Sequence, residues 1–366
     1  MTGAIILAGG GSGGHLSPGL AVAERLHSID GDIKTIFACS RRTIDRTMLE
    51  QAGARFEAIT AAPFSIRPAG FLRMVRLNLR GTREAERLFK DTGASTVVAM
   101  GGFVSIPVVR AARRCSIRVV LLNLDAVPGR ANRWVARHAD DVRTSIHLQN
   151  PGDLNHPVQV GFPLRRVALA PSDALSCRER LGLDPNRPTL LVTGASQGAS
   201  TLNALMRTLL QESPLAFEGW QVIHLSGAAD ENAMRQAYAE AGVPALVTEF
   251  LEKIGLAWGS ADLALSRAGA NSVAEAAANR VPTLFVPYPY HRDLHQQFNA
   301  EPLVRLGGAR MALDAIEPGL NRGAVGGPLI ELLTDPDQRA RMRTILEQQE
   351  HVDGASEVAR LLLEIA

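Results

Sequence analysis

Short apolar runs alternate with stretches of helical period along the whole chain. In the first half the runs fall at residues 4–7, 35–38, 55–59, 96–100, 118–122 and 141–145, and in the second at 189–193, 221–225, 245–248, 263–265 and 282–286. Runs without polar alternation suit strands covered on both faces, and strands separated by helices pair in parallel. The pattern therefore predicts an α/β chain of two doubly wound, Rossmann-like domains with mainly parallel sheets. Between the two series lies a strand-poor stretch, 150–188, holding Pro151, Pro157, Pro163, Pro171 and Pro185. Proline clusters of this kind punctuate a fold, and the boundary is placed there, giving domains 1–160 and 161–366 with a linker near 161–166 and with a packing of the C-terminal helix back on the first domain left open. Glycine-rich turns follow strands at 9–14, 101–102, 194–198 and 269. Open α/β sheets bind ligands beyond the carboxyl ends of their strands, so these turns are expected to face one cleft between the domains.

One helical stretch, 70–90, departs from ordinary surface patterning. Phe71, Leu72, Met74, Val75, Leu77 and Leu79 are interleaved with Arg73, Arg76, Arg80, Arg83 and Arg87. Two readings stay open. The helix lies in an anionic membrane surface with its arginines on the headgroups, or it packs on the sheet and turns a solvated arginine face outward.

Length and composition narrow the class. With 366 residues and 46% hydrophobic content, the chain can bury two cores. Cys39, Cys115 and Cys177 are widely spaced and form no CxxC pair, so neither a disulfide framework nor a zinc site is indicated, and a reducing cytoplasm is the expected setting. The N-terminus carries no charged leader, and no apolar run approaches the roughly 18 residues that span a bilayer. The acidic doublets Asp30-Gly31-Asp32 and Asp335-Pro336-Asp337 sit in turn-like contexts, so neither a metal nor a cofactor is expected. The net charge of +2 hides an asymmetry, because residues 1–160 hold 21 basic and 13 acidic side chains. That excess suits contact between the first half and an anionic surface.

Four segments carry candidate chemistry. Gly9 to Gly14, ahead of His15, form a loop between a strand and a helix for which Ser17 and Pro18 supply the expected N-cap and first turn. Glycines admit close backbone approach and the helix start favours an anion. The loop therefore reads as a phosphate or diphosphate site, or else as a tight turn with no ligand. His15 beside a helix N-terminus is biased toward the neutral, proton-accepting ring. Gly194-Ala195-Ser196-Gln197-Gly198-Ala199 repeats the arrangement in the second half. The run from Ser266 to Glu275 adds Gly269 for close approach, Ser272 for a phosphate and Glu275 for two ribose hydroxyls. Within it Arg267 either balances diphosphate charge or makes a structural ion pair. The polar loop from Tyr288 to Asn299, with His295 and Gln296, suits sugar hydroxyls.

Taken together, these segments resemble the MurG family. The resemblance is carried by Gly9 to Gly19 with His15 and Pro18, Met100-Gly101-Gly102-Phe103-Val104-Ser105-Ile106-Pro107, Gly161 to Arg165, Gly194 to Ala199 with Leu202-Asn203, Ser266 to Glu275, and His295-Gln296 with Asn299-Ala300. It covers nearly the whole chain. It implies a GT-B fold, two Rossmann-like domains facing across a cleft, and an inverting, metal-independent transfer of GlcNAc from UDP-GlcNAc to lipid I, giving lipid II for peptidoglycan. It further implies a peripheral protein on the cytoplasmic face of the inner membrane, with no nucleic acid as partner.

The resemblance also implies residue roles. The donor would lie by Arg165, Ser196, Leu251, Arg267, Gly269, Ala270, Asn271, Ser272, Glu275, His295 and Gln296. The acceptor diphosphate would meet Gly10, Gly11, Ser12, Gly13, Gly14, Gly101 and Gly102. The membrane patch would comprise Phe71, Leu72, Arg73, Val75, Arg76, Leu79 and Arg80. His15 would be the general base. One departure stands out: where the family has His-Glu-Gln-Asn, this chain has Leu122-Asn123-Leu124-Asp125, while Pro128-Gly129, Asn132 and Trp134 continue the pattern. Asp125 thus replaces an amide near the donor sugar. It is read as a sugar ligand, as the base in place of His15, or as the mark of a changed donor or acceptor. Phe162 likewise replaces an asparagine on the uracil side. Two alternatives accompany the main reading: a related transferase with another UDP-sugar or lipid acceptor, and a non-catalytic nucleotide-sugar-binding scaffold.

Overall fold

The computed structural model describes residues 3–11, 13–65, 67–194, 199–290, 293–350 and 352–365. The chain forms two compact units, residues 1–165 with 352–366, and residues 166–351. The first unit begins with β1 (Ala4–Ala8), α1 (Gly13–Ile29), β2 (Thr35–Cys39), α2 (Thr43–Gln51), β3 (Phe56–Ala58) and α3 (Pro68–Thr92). It continues through β4 (Ala94–Ala99), α4 (Ser105–Arg114), β5 (Arg118–Asn123), α5 (Arg130–Ala136), β6 (Asp141–Thr144) and β7 (Val158–Gln159). All its strand pairs are parallel, in the order β3-β2-β1-β4-β5-β6-β7.

Side chains alternate between the two faces of this sheet, as the two-residue period of a strand requires. Ile6, Ala8, Ile36, Val97, Ala99 and Leu121 face one core, which α3, α4 and α5 cover. Ile5, Leu7, Phe37, Val98, Val120 and Leu122 face the other, under α1 and the C-terminal helix Gly354–Ile365. That last helix is tied on by Arg25 to Asp353 at 3.0 Å and by the Gly161 N–H to Glu357 at 2.7 Å.

The second unit runs α6 (Ala174–Arg180), β8 (Thr189–Thr193), α7 (Ser200–Glu212), β9 (Gln221–Leu225), α8 (Glu231–Glu240), β10 (Ala245–Thr248), α9 (Ile254–Ser260) and β11 (Leu263–Ser266). Then follow α10 (Ala270–Ala278), β12 (Thr283–Phe285), α11 (His295–Leu306), β13 (Ala309–Met311), α12 (Pro318–Asn321), α13 (Gly327–Thr334) and α14 (Pro336–Glu347). Its sheet is again parallel, in the order β10-β9-β8-β11-β12-β13.

The apolar runs predicted eleven of these strands; β7 and β13 have two and three residues, lie at sheet edges and leave no apolar run to detect. The first helix is a correction. It starts at Gly13, not at Ser17, so His15 belongs to its first turn and Pro18 lies inside it. A helix can open through glycines because the first four N–H groups have no intrahelical partner to lose, and Pro18 then costs only one bond near the end. Helix α3 starts with Pro68 and stops at Gly93, whose φ of 66° closes it in the left-handed conformation.

Candidate functional site

Each sheet reverses its winding direction once, and loops at such a point diverge to leave a crevice beyond the strand ends. In the first unit the reversal falls between β1 and β4. The loops leaving those strands are the two glycine turns picked out in the sequence. They touch: a side chain on Gly102, whose φ is 77°, would strike the Gly10 carbonyl. Gly101, at φ 113°, lies against His15, and a Cβ there would sit 2.9 Å from the ring Cδ2. Ser105 at the start of α4 donates to the Gly101 carbonyl at 2.8 Å, holding the second turn on its helix.

Two residues that sequence reasoning missed shape the first turn. Buried Asp45 on α2 accepts the Gly11 N–H at 2.8 Å and the Ser40 hydroxyl at 2.5 Å. Arg42 donates to the Gly11 carbonyl at 2.6 Å and lies over the Phe103 ring. Gly11 belongs to the set that the resemblance implies for the acceptor diphosphate, and its own N–H is engaged by Asp45. The other members of that set, Gly10, Gly13, Gly14, Gly101 and Gly102, lie on the two touching turns or in the first turn of α1. Ser12 lies outside the described residues. No local pattern announces Asp45, because its partner is 34 positions away.

Asp125 lies just past the end of β5, the strand beside β4. Its main-chain carbonyl accepts from Asn123 Nδ2 at 2.8 Å, and Asn123 Oδ1 in turn accepts from Asn132 Nδ2 at 3.0 Å. Asn123 and Asn132 are both buried.

In the second unit the reversal falls between β8 and β11. The loop after β8 contains Ser196, and residues 195–198 lie outside the described residues. After β11, Gly269 caps α10 and opens onto empty space, since nothing stands within 4 Å of a Cβ built there. Ala270, Asn271 and buried Ser272 form the first turn of α10, whose N–H groups suit an anion. One turn on, Glu275 accepts from Trp258 Nε1 at 2.9 Å. Burial drives its carboxyl up to about 7, against the lowering effect of the Trp258 hydrogen bond.

Next to them, β12 leads to His295 and Gln296 in the first turn of α11. His295 Nδ1 lies 2.8 Å from Asp293 Oδ1, and Gln296 Oε1 accepts from the Tyr288 N–H at 2.9 Å. Leu251 is half-buried in the loop after β10.

Arg267 adopts the structural one of its two readings. It is 4% exposed and pairs with Asp314 at 2.9 Å, while donating to Thr201 at 2.6 Å and to the Val286 carbonyl at 3.0 Å. Desolvation pulls its pKa down against the pull of Asp314. Neither Thr201 nor Asp314 was singled out in the sequence, since both are distant in the chain. Arg165 is the last residue of the first unit, and its Nε donates to Glu24 on α1 at 3.0 Å. That ion pair ties Arg165 to α1.

The amphipathic stretch divides. The second half of α3 is packed through Gly81, Thr82, Ala85, Leu88 and Phe89. In the first half Phe71 and Leu72 are 47% and 71% exposed, with Leu79 and, from the preceding loop, Phe64 also on the surface. Val75 is half-buried. Arg80 pairs with Glu84 at 2.9 Å, whereas Arg73 and Arg76 have no carboxylate partner among the described residues. Among those residues no helix is long and apolar enough to cross a membrane.

Two parallel sheets, each with an anion-shaped helix start at its winding reversal, and a partly buried carboxylate one turn into α10 define a nucleotide-sugar glycosyltransferase of the GT-B type. The comparisons with known proteins agree. The glycosyltransferase family 28 N-terminal domain matches residues 5–144, and its C-terminal domain matches residues 189–356. A UDP-N-acetylglucosamine--N-acetylmuramyl-(pentapeptide) pyrophosphoryl-undecaprenol N-acetylglucosamine transferase from Nocardioides sp. is 36% identical over 365 residues, covering 99% of this chain and 98% of that protein. The enzyme of the same name from Mycobacterium tuberculosis is 34% identical, covering 99% and 89%. In fold, the crystal structure of Acinetobacter baumannii MurG matches with a TM-score of 0.72 at 24% identity, over 99% of both chains. This chain belongs to the MurG family of glycosyltransferases.

Proposed function

We propose that the protein moves GlcNAc from UDP-GlcNAc to lipid I, giving lipid II for peptidoglycan, with inversion at the anomeric carbon. The observation that supports this most directly is similarity over 99% of the chain to relatives named for that reaction. In this reading the second unit holds the donor. The amides at the start of α10 and the loop after β8 take the diphosphate, Glu275 takes the ribose hydroxyls, and the His295-Gln296 turn takes the sugar. The first unit holds the acceptor, whose diphosphate meets the paired glycine turns.

Transfer needs a base for the acceptor hydroxyl and stabilisation of the charge that develops on UDP as it leaves. His15 is the base: it sits beside the acceptor turns, in a helix first turn that favours the neutral ring. Asp125, just past the end of β5, is assigned to sugar hydroxyls. The exposed apolar start of α3, with Arg73 and Arg76, rests on the anionic cytoplasmic face of the inner membrane, where the lipid-linked acceptor resides.

The test is UDP release from UDP-GlcNAc, which is expected only when lipid I or a short-chain analogue is supplied. Equal turnover with an unrelated acceptor would overturn the assignment. His15→Ala should lower kcat by at least about tenfold with donor affinity unchanged. An equal loss of donor binding would make His15 a structural residue.

A further inference from the structure

Asn132 on α5 is 6% exposed, and its side-chain Oδ1 has no hydrogen-bond partner. Leaving a buried acceptor unsatisfied forfeits the hydrogen bonds it had with water, so such an atom calls for a reason. Its orientation is dictated from the far end of a chain of amides. The Asp125 carbonyl can only accept, so the atom of Asn123 facing it is Nδ2. The same Nδ2 lies 3.3 Å from Thr144 Oγ1, whose own proton goes to the Ile146 carbonyl at 2.9 Å. Asn123 therefore presents Oδ1 to Asn132, Asn132 must answer with Nδ2, and its Oδ1 is turned the other way.

The other way leads to His15. The point where a Gly101 Cβ would stand is 3.2 Å from Asn132 Oδ1 and 3.1 Å from His15 Nε2. Glycine keeps that slot open, and the two atoms border it.

We propose that Asn132 is a positioning residue for His15: its Oδ1, which accepts from no group in the arrangement described, takes the Nε2–H of the imidazole when the ring turns into the Gly101 slot, and thereby fixes the tautomer of the base. This rests on the reading of His15 as the base. A hydrogen bond at one ring nitrogen decides which nitrogen carries the resting proton. With Nε2 protonated, the acceptor's O–H bond breaks and its proton goes to Nδ1. The oxygen bonds to the anomeric carbon, and the bond to UDP breaks with its electron pair staying on the diphosphate. The ring becomes a cation, and the Nε2–H to Asn132 bond strengthens because its donor is now charged. That gain offsets the penalty that a helix N-terminus places on the imidazolium.

The test begins with the wild-type chain labelled with ¹⁵N-histidine, where the His15 signals are assigned by their loss in His15→Gln. The neutral ring is expected to carry its proton on Nε2; a resting Nδ1–H tautomer would overturn the proposal. Asn132→Asp places a carboxylate at the same atom and should move the acid limb of the kcat profile up by about one pH unit or more, with the UDP-GlcNAc KM within about twofold. Arg42, Asp45 and Asp125, the charged groups on the bordering turns, are unchanged in it. An unmoved limb in a folded variant, while His15→Ala is inactive, would sink the role of Asn132 alone. Full activity of His15→Ala would instead remove the base reading on which it stands.

Discussion

Glu275 offers a prediction in which stability and donor binding change in opposite directions with pH. Its carboxyl is lifted from 4.5 to about 7 by burial, a rise that the single Trp258 hydrogen bond only partly offsets. The sign follows from proton counting: between those values the unfolded chain has lost the proton and the folded chain still holds it. Stability is then fully present below 4.5 and declines as pH rises through about 7. At about 1.36 kcal/mol per unit the loss approaches roughly 3 kcal/mol by pH 8.

Glu275→Gln keeps an acceptor for Trp258 and removes the ionisation. Chemical unfolding followed by tryptophan fluorescence should therefore show the variant gaining on the wild type from pH 5 to about 7 and levelling off by pH 8. The ligand moves the other way. Ribose hydroxyls donate to the ionised carboxylate, so UDP should bind more tightly to the wild type as pH rises from 6 to 8, while the variant stays weak and flat in calorimetry. Parallel stability curves for the two proteins would refute the buried-carboxyl argument. A wild-type UDP affinity independent of pH would refute the ribose contact.

Two further outcomes follow from single contacts. Asp314→Ala strands the buried Arg267 and removes the acceptor of Thr201, Asn321 and the Ile316 N–H. It should cost about 3–5 kcal/mol in denaturant unfolding, recovered in large part by adding Arg267→Met; a loss below about 1 kcal/mol would mean the pair is not structural. Phe71→Glu with Leu72→Glu should abolish sedimentation with anionic phospholipid vesicles, since each side chain forfeits about 1.5–3 kcal/mol of apolar burial, while leaving the unfolding midpoint nearly unchanged. Undiminished vesicle binding would return α3 to an ordinary surface helix.

The sheets were legible because their information is local. A strand such as Thr189–Thr193 is apolar over consecutive positions since both its faces are covered, and that shows in five residues of sequence. Glycine turns at the ends of β1 and β4 were legible for a similar reason, because positive φ at Gly10, Gly11, Gly101 and Gly102 leaves a compositional trace. Arg267 shows where this ends. Whether a guanidinium meets a ligand or an internal carboxylate depends on Asp314, 47 positions further along, and no period or spacing connects the two.

The same limit explains why the first helix was placed one turn late. Ser17 and Pro18 form a locally sound helix start, but the helix begins at Gly13, two residues after Gly11, which Asp45 and Arg42 hold from the start of α2. The consequence for chemistry is direct. A ring just outside the helix would be placed away from Gly101, whereas a ring in the first turn of α1 borders the Gly101 slot, which is also bordered by the Oδ1 at the end of the Asp125, Asn123 and Asn132 chain. The replacement at Asp125 therefore leaves that chain intact, because what it contributes there is its main-chain carbonyl, which any residue would supply.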